Sequence, residues 1–543
     1  MAGDGDDSFL LRLKEFKEAV ASISSEDNLN DCAKKISQVL PWEQPVGLPE
    51  IETEEDEDDD PSSQIDDDIT EFYNKHVHVA ETEFQVAVLH VNFILEYLQT
   101  VLEGHELPSV KFDKFVSCGA AKEGMSSRLV PHFDVILPFE ILSGGADCLE
   151  VITPGVDSQI PTGFVKLHVS AEVSISSQSA KSSRKDLIVI DKDESGKFLS
   201  PTGFREFIVS PLIEEAIAKF SQSSAAAASS FRVFTQKTKK SLSIVIEPNK
   251  SWLSVPLKQP SLTISVIPSV AISKGAFPIY GGAKPRYWKN INATDPYNPL
   301  WQLAMPNHEC HLLRILVPKH SHLKQVLRIF KTLVMLRLKR NSETTLTYLD
   351  AYHYKMALLS HLTEDSFKSD PQQSLEDCLA EFVAMMLSKI KDCNITSVFY
   401  GNNEFLRRFG KTDSPLKDTL PVNVADTLTT GMVADIRKEL KTMLRTYDWG
   451  TDVWTLAVEK ETEKKHMIEM KKKEAMESKM AEAKKENMVD GDLQKNLADD
   501  SIFIRIIGMS VVIALLAVVV YSIFGEFEFG SSEPKADSGV QEL

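Results

Sequence analysis

Residues 118–137 read CGAAKEGMSSRLVPHFDVIL, and the fold is decided there. Cys118-Gly119-Ala120-Ala121 places a glycine where a chain leaving a strand must turn tightly, since glycine alone tolerates such backbone angles at no steric cost. His132-Phe133-Asp134-Val135-Ile136-Leu137 then alternates and ends apolar, which predicts a buried strand carrying one acid near its start. Working outward, Val110–Phe115, Phe133–Phe139 and Phe164–Ile175 read as strands, as do Leu242–Ile246 and Leu262–Ile272. Helical periodicity marks Ile69 to about Glu103, through Phe84, Val88, Val91, Ile94, Leu95 and Leu98, and Phe204–Phe220. SQSSAAAASS after Phe220 reads as a low-complexity connector.

A glycine turn followed by a strand with an acid suits phosphoryl transfer. Backbone amides at such a turn meet a triphosphate, and carboxylates on neighbouring strands hold two Mg²⁺ ions for in-line displacement. Asp134 reads either as such a ligand or as a hydrogen-bonding acid at a strand end.

From Trp301 to Leu444 the pattern is almost wholly helical, so a second, helical lobe follows the first. Residues 1–45 hold a helical segment with Phe9, Leu13, Phe16 and Val20 on one stripe, fit to pack on the main domain or to dock on a partner. Residues 46–68 read as an acidic disordered linker: twelve acids lie between Glu50 and Asp68 and carry most of the net charge of −19, and such a run cannot bury apolar surface. The remainder has no strong field, which argues against nucleic acid as a partner. The expected lobes are 69–295 and 296–450, followed by a charged helical stalk over 451–500 whose apolar positions sustain no heptad.

Residues 506–524, IIGMSVVIALLAVVVYSIF, run without a charge from Ile506 through Leu515 to Phe524. A helix of that length spans roughly 28 Å and matches a bilayer's hydrocarbon. Arg505 and a lysine-rich stretch precede it and an acidic tail, 525–543, follows, so the N-terminal bulk is expected on the cytosolic side. The expectation is a tail-anchored, single-pass protein of the endoplasmic reticulum or mitochondrial outer membrane rather than the plasma membrane. Six cysteines, Cys32, Cys118, Cys148, Cys310, Cys378 and Cys393, show no CxxC spacing and fit reduced thiols.

Taken in order, GAAKEG, PHFDVILPF, TGFVKLHV, LTISVIPSVAI, PLWQLAM, CHLLRILVPKH, AYHYKMALLSHL and VFYGNNEF resemble the Mab-21 family. That family includes cyclic GMP-AMP synthase and the inositol-trisphosphate-receptor-interacting proteins, and the late pieces look closest to the latter. The resemblance covers about residues 70–445. It implies an α+β, two-lobed nucleotidyltransferase fold: a mixed sheet with a long spine helix, then a helical lobe, with nucleotide held between them. It also implies a protein partner, with a calcium channel of the endoplasmic reticulum as the family's suggestion.

Active members are similar in carrying Gly-Ser in the turn, an acid-apolar-acid pair on the next strand and a third acid later. Here Gly119 is kept, Ala120 stands at the serine place, His132 replaces the first acid, Asp134 remains, and Ile267 stands where the third acid is expected. A single carboxylate does not build a two-metal site. The expectation is therefore a pseudoenzyme without catalytic residues or resident metal, acting as a binding regulator or adaptor at a cytosolic membrane face. The alternatives are a non-catalytic nucleotide sensor, or an enzyme that makes cyclic dinucleotides through other acids such as Glu140 or Asp147 and alone needs Mg²⁺. Residual nucleotide contacts are expected at Gly119, Ala120, Asp134 and Lys355, the last as a phosphate ligand. Arg232, Lys237, Lys239 and Lys240, and Arg337, Lys339 and Arg340, read as solvated faces or phosphate contacts. His308, Cys310, His311, His320 and His322 lie close together but lack the paired spacing of a zinc site.

Overall fold

The computed structural model describes residues 4–23, 42, 61–105, 110–128, 132–142, 149–153, 160–161, 163–169, 189–191, 197–237, 242–249, 261–273, 278–283, 298–316, 321–362, 373–400, 423–425 and 428–493. Two compact units divide the chain, Met1–Thr462 and Glu463–Leu543.

Helix α1 (Asp4–Ile23) buries Leu13, Phe16 and Val20, the stripe that the four-three spacing predicts. The next helical stretch differs from expectation at both ends. Helix α2 (Pro61–Phe72) occupies residues 61–68, expected to be linker; Pro61 suits a first helical position, Ile69 is buried, and the Asp66 carboxylate accepts the Glu376 N–H at 2.8 Å. Residues 46–60 lie outside the described residues. After α2 a wide π-helical turn, Tyr73–Val77, ends in extended backbone at His78, so the single helix expected from Ile69 is broken before α3 (Glu81–Glu103). The break has a tertiary cause: the Val77 carbonyl turns out to accept the Arg128 N–H at 3.2 Å and Arg328 Nη2 at 3.1 Å.

Strands β1 (Val110–Phe112) and β2 (Val116–Cys118) replace the one strand expected over 110–115; between them the Asp113 N–H leaves the ladder to donate to the Pro138 carbonyl at 2.9 Å. The short helix α4 (Gly119–Lys122) leads to β3 (His132–Ile141), β4 (Leu149–Ile152), β5 (Phe164–Val169), β6 (Val189–Asp191) and β7 (Lys197–Leu199). Helix α5 (Pro201–Phe204) continues through a π segment, Arg205–Val209, into α6 (Ser210–Gln222). The expected connector contains a one-turn helix, α7 (Ser224–Ala228), capped by Ser223 Oγ, which accepts the Ala226 N–H at 3.2 Å. Strands β8 (Phe231–Lys237), β9 (Leu242–Pro248), β10 (Leu262–Ser273), β11 (Ile279–Gly282) and β12 (Leu300–Ala304) complete the sheet, which therefore runs past the expected lobe boundary at 295.

The architecture is mixed α+β. β3 and β10 lie parallel at the centre, while their other neighbours pair antiparallel. Helix α3 packs its Phe84 ring on Phe133 of β3, Phe139 stacks on Phe204 with centroids 3.9 Å apart, and the buried Trp301 indole donates to the Leu199 carbonyl at 2.9 Å. Each such side chain, fully buried, contributes about 1.5–3 kcal/mol relative to exposure.

Helices α8 (Pro306–Leu316), α9 (Ser321–Arg340), α10 (Ala351–Leu362), α11 (Leu375–Lys391) and α12 (Thr430–Leu444) follow. Phe330 of α9 packs against Tyr354 of α10 and Phe382 of α11. Helix α13 (Gly450–Leu493) begins in the first unit. In the second unit it is the described part, and Met467, Ile468, Met470, Met476 and Met480 are exposed along it. Among the described residues one stretch, Ile65–Glu103, is long and apolar enough to cross a membrane, and most of it is buried within the protein. The span expected at Ile506–Phe524, with Leu515 at its centre, lies outside the described residues.

Candidate functional site

The site starts at the β2 end. Cys118 pairs with Asp134 across the antiparallel β2/β3 ladder, and Gly119 then takes φ +71°. A Cβ there would stand 2.6 Å from Asp134 Oδ2, so the carboxylate packs directly over the glycine's Cα. No other residue combines that angle with that approach. The turn closes with the Glu123 N–H donating to the Gly119 carbonyl at 3.1 Å and the Met125 N–H to the Ala120 carbonyl at 2.8 Å.

His132 lies two residues before Asp134 on the same face of β3, its Nε2 3.3 Å from Asp134 Oδ1. The parallel register aligns Thr263 with His132, Ser265 with Asp134 and Ile267 with Ile136. Ile267 thus lies two residues beyond the level of Asp134; with Ile136, Cys118 and Tyr280 it forms a small apolar cluster. The positions beside His132 and Asp134 hold hydroxyls instead. Glu140 is six residues beyond Asp134 on the same strand, about 20 Å away at 3.3 Å per residue, and is excluded as a companion acid. Asp147 lies outside the described residues.

This donor set does not fit two Mg²⁺ ions. Mg²⁺ requires oxygen ligands in octahedral order and sheds water reluctantly; one carboxylate, an imidazole and two strand hydroxyls do not supply a bridging pair. Among the described residues no group of three His, Cys, Asp or Glu side chains is placed to hold a metal. His320 lies outside them, and Cys310 Sγ instead faces the Lys122 carbonyl at 3.6 Å.

Beside Asp134 opens a cavity of about 240 Å³, lined by Gly119, Ala120, Asp134, Lys331, Tyr352 and Lys355 among others. Sheet and helices both contribute to its wall. Lys355, one of the expected contacts, is in this lining and also has partners within the chain. Its ammonium is buried between Glu123 Oε1, at 2.7 Å, and Glu309 Oε2, and it lies 5.4 Å from the Tyr352 ring centroid. Burial opposes its charge, but the two carboxylates prevail and raise its pKa above the lysine value. Its charge is already matched within the chain, so it serves as an interior tie between α10, α8 and the Gly119 turn.

Lys331 of α9, which the sequence reading passed over, also lines the cavity, together with Arg328. Burial lowers its pKa; Asp134 and Glu123 work the other way, and Arg328 and Lys355 add to the lowering. Among the described residues it closes no ion pair with either acid. A signal was present: Lys324, Arg328 and Lys331 recur at four and three within an apolar stripe, which puts three cations on the face that turns inward. Arg328 is wholly buried, donating from Nε to the Ser126 carbonyl at 2.9 Å and to the Tyr73 hydroxyl.

The basic strips are largely spent on neighbours. Arg232 pairs with Glu247, Lys237 with Glu214 and Arg337 with Glu439; Lys239 and Lys240 lie outside the described residues.

No protein-family model matches the chain, and no curated protein matches it. Among solved structures the chain is similar to E. coli MS115-1 CdnC with ATP, at 12% identity over 72% of this chain and 96% of that one, TM-score 0.39. It is similar to Vibrio cholerae DncV, a cyclic AMP-GMP synthase and prokaryotic cGAS homolog, at 11% identity over 83% and 86%, TM-score 0.30. It is also similar to Rhodothermus marinus CdnE, a c-UMP-AMP synthase, with Apcpp and Upnpp, at 12% identity over 60% and 95%, TM-score 0.27.

Proposed function

We propose that this chain has a nucleotidyltransferase-like fold and works by binding, as a membrane-anchored regulator or adaptor on a cytosolic face, without two-metal transfer chemistry. The observation that carries the reading is the strand register: Ser265 and Thr263 stand beside Asp134 and His132 where a two-metal centre requires further carboxylates. The cavity offers what a non-catalytic anion site needs, the half-buried lysine Lys331 and an aromatic wall at Tyr352. A nucleotide is the ligand class that the resemblance to the Mab-21 family favours. The uncharged run from Ile506 to Phe524 supplies the anchor, in the endoplasmic reticulum or the mitochondrial outer membrane. A protein partner follows from the same resemblance, with an endoplasmic-reticulum calcium channel first to be tried.

The opposing reading is synthesis of a cyclic dinucleotide. Full-length protein purified in detergent, incubated with the four ribonucleoside triphosphates and Mg²⁺ or Mn²⁺, separates the two. No product is expected by mass spectrometry; a cyclic or linear product that disappears in Asp134→Ala overturns the binding reading.

A further inference from the structure

Helix α1 rests on α3 and α7 through Leu13, Phe16 and Val20, and Phe16 is its central contact. Its ring stacks on Phe93 at 4.9 Å and meets His90 edge-on at 5.0 Å and 88°. His90 is also met by Phe231 of β8 at 5.1 Å and 70°. The imidazole, fully buried, bonds through Nδ1 to the Val86 carbonyl at 2.7 Å. We propose that α1 is a pH-sensitive latch, docked while His90 is neutral and released as His90 takes up a proton.

The geometry makes docking and protonation compete. Seated, Phe16 closes the side of His90 that α1 covers; undocked, it leaves the imidazole beside water. Burial lowers the docked pKa to about 4 from the ordinary 6.5, with the Val86 carbonyl pulling the other way. The undocked form therefore binds more protons below pH 6.5, so docking is strongest above that value and weakens as pH falls from 6.5 toward 4. Between pH 7.5 and 5.5 the docking constant falls about tenfold.

Charges surround this contact on every packed element: α1 also carries Lys17, and α6, whose Phe220 packs on Phe93 and Phe231, carries Glu215 paired with Lys219 and Glu214 paired with Lys237 of β8. From α1, Arg12 reaches Glu96 of α3 at 3.7 Å, Lys14 pairs with Glu18, and Glu15 acts on Glu96. From β8, Arg232 pairs with Glu247, and α7 has only Ser and Ala. The His90 shift is set by burial and the Val86 carbonyl, with none of these charges contributing. Glu96 titrates in the opposite sense: burial raises its pKa, against Arg12, so acid favours its docked state. The latch must therefore be read against a variant lacking only the imidazole.

Hydrogen exchange of the α1 amides, residues 10–20, in full-length protein in micelles at pH 7.5 and 5.5 tests this, after correction for intrinsic exchange. A helix in a protein owes most of its stability to packing of its apolar face, so undocking exposes its amides. The expected result is about a tenfold loss of α1 protection in the wild type, no loss in His90→Leu or His90→Gln, and steady protection of β3 and β10 throughout. Unchanged wild-type α1 protection overturns the proposal, and this arm needs no variant to fold. An equal loss in the wild type and a folded His90 variant overturns it too.

Discussion

Asp134 on β3 and Ser265 on β10 face each other across a parallel strand pair. The carboxylate packed over Gly119 consequently has a hydroxyl for its cross-strand neighbour. In a low-dielectric cleft a second acid there would repel the first unless a cation lay between them, so this position separates a metal centre from a simple polar strand end.

Ser265→Asp turns that relation into a measurement. The variant should be less stable than wild type by about 1–3 kcal/mol for two close carboxylates, and so unfold at lower temperature. Mn²⁺ should restore part of the loss in the variant while leaving the wild type unmoved. Equal Mn²⁺ stabilisation of both proteins would mean that a metal site exists without the second acid.

Local signals carried much of this. The α1 stripe, the Gly119 turn and the Asp134 strand are legible because each depends on residues close in sequence. What was missed depends on distant partners. The π turn at Tyr73–Val77 is fixed by Arg328, some 250 positions away. Spacing along β10 says nothing of its register against β3, so only the pairing shows that Ser265 lies beside Asp134 and Ile267 two residues further on. The tie of Lys355 to Glu123 and Glu309 was not legible because the two acids come from separate elements. Lys331 was passed over because nothing close to it in sequence shows that the cavity lies on its side of α9.

Gly119→Ala should destabilise the protein by about 2–4 kcal/mol, combining a left-handed residue's cost of about 1–2 kcal/mol with the steric overlap at Asp134. The overlap arises because a Cβ would sit 2.6 Å from Asp134 Oδ2. Asp134→Ala removes that atom, so urea unfolding of the double variant should show a loss smaller than the sum of the single losses. Strict additivity would mean that the carboxylate does not rest on the glycine.

Lys355→Met leaves Glu123 and Glu309 buried without their cation. A loss of about 3–5 kcal/mol is expected in urea unfolding, the usual cost of stranding one side of a buried ion pair. The triple change Glu123→Gln, Lys355→Met and Glu309→Gln should recover most of it, because no charge is then left unpaired. Were Lys355 chiefly a ligand contact facing open water, the single variant would cost little and the triple would gain nothing.

Lys331 gives a pH dependence of definite sign. Burial depresses its pKa below the ordinary 10.5, so the folded protein binds fewer protons than the unfolded chain between the depressed value and 10.5. Stability consequently rises with pH through that window, and the cost of burying the ammonium is fully present only below it. Lys331→Met removes the cost: the variant should melt higher than wild type at neutral pH, and the gap should shrink as pH is raised toward 10. If Lys331 is also the anion anchor, inorganic phosphate or ADP should stabilise the wild type and not the variant. A Lys331→Met protein that melts lower than wild type at neutral pH, with a gap independent of pH, would show that the lysine is paid for by contacts other than a ligand and that the cavity is not an anion site.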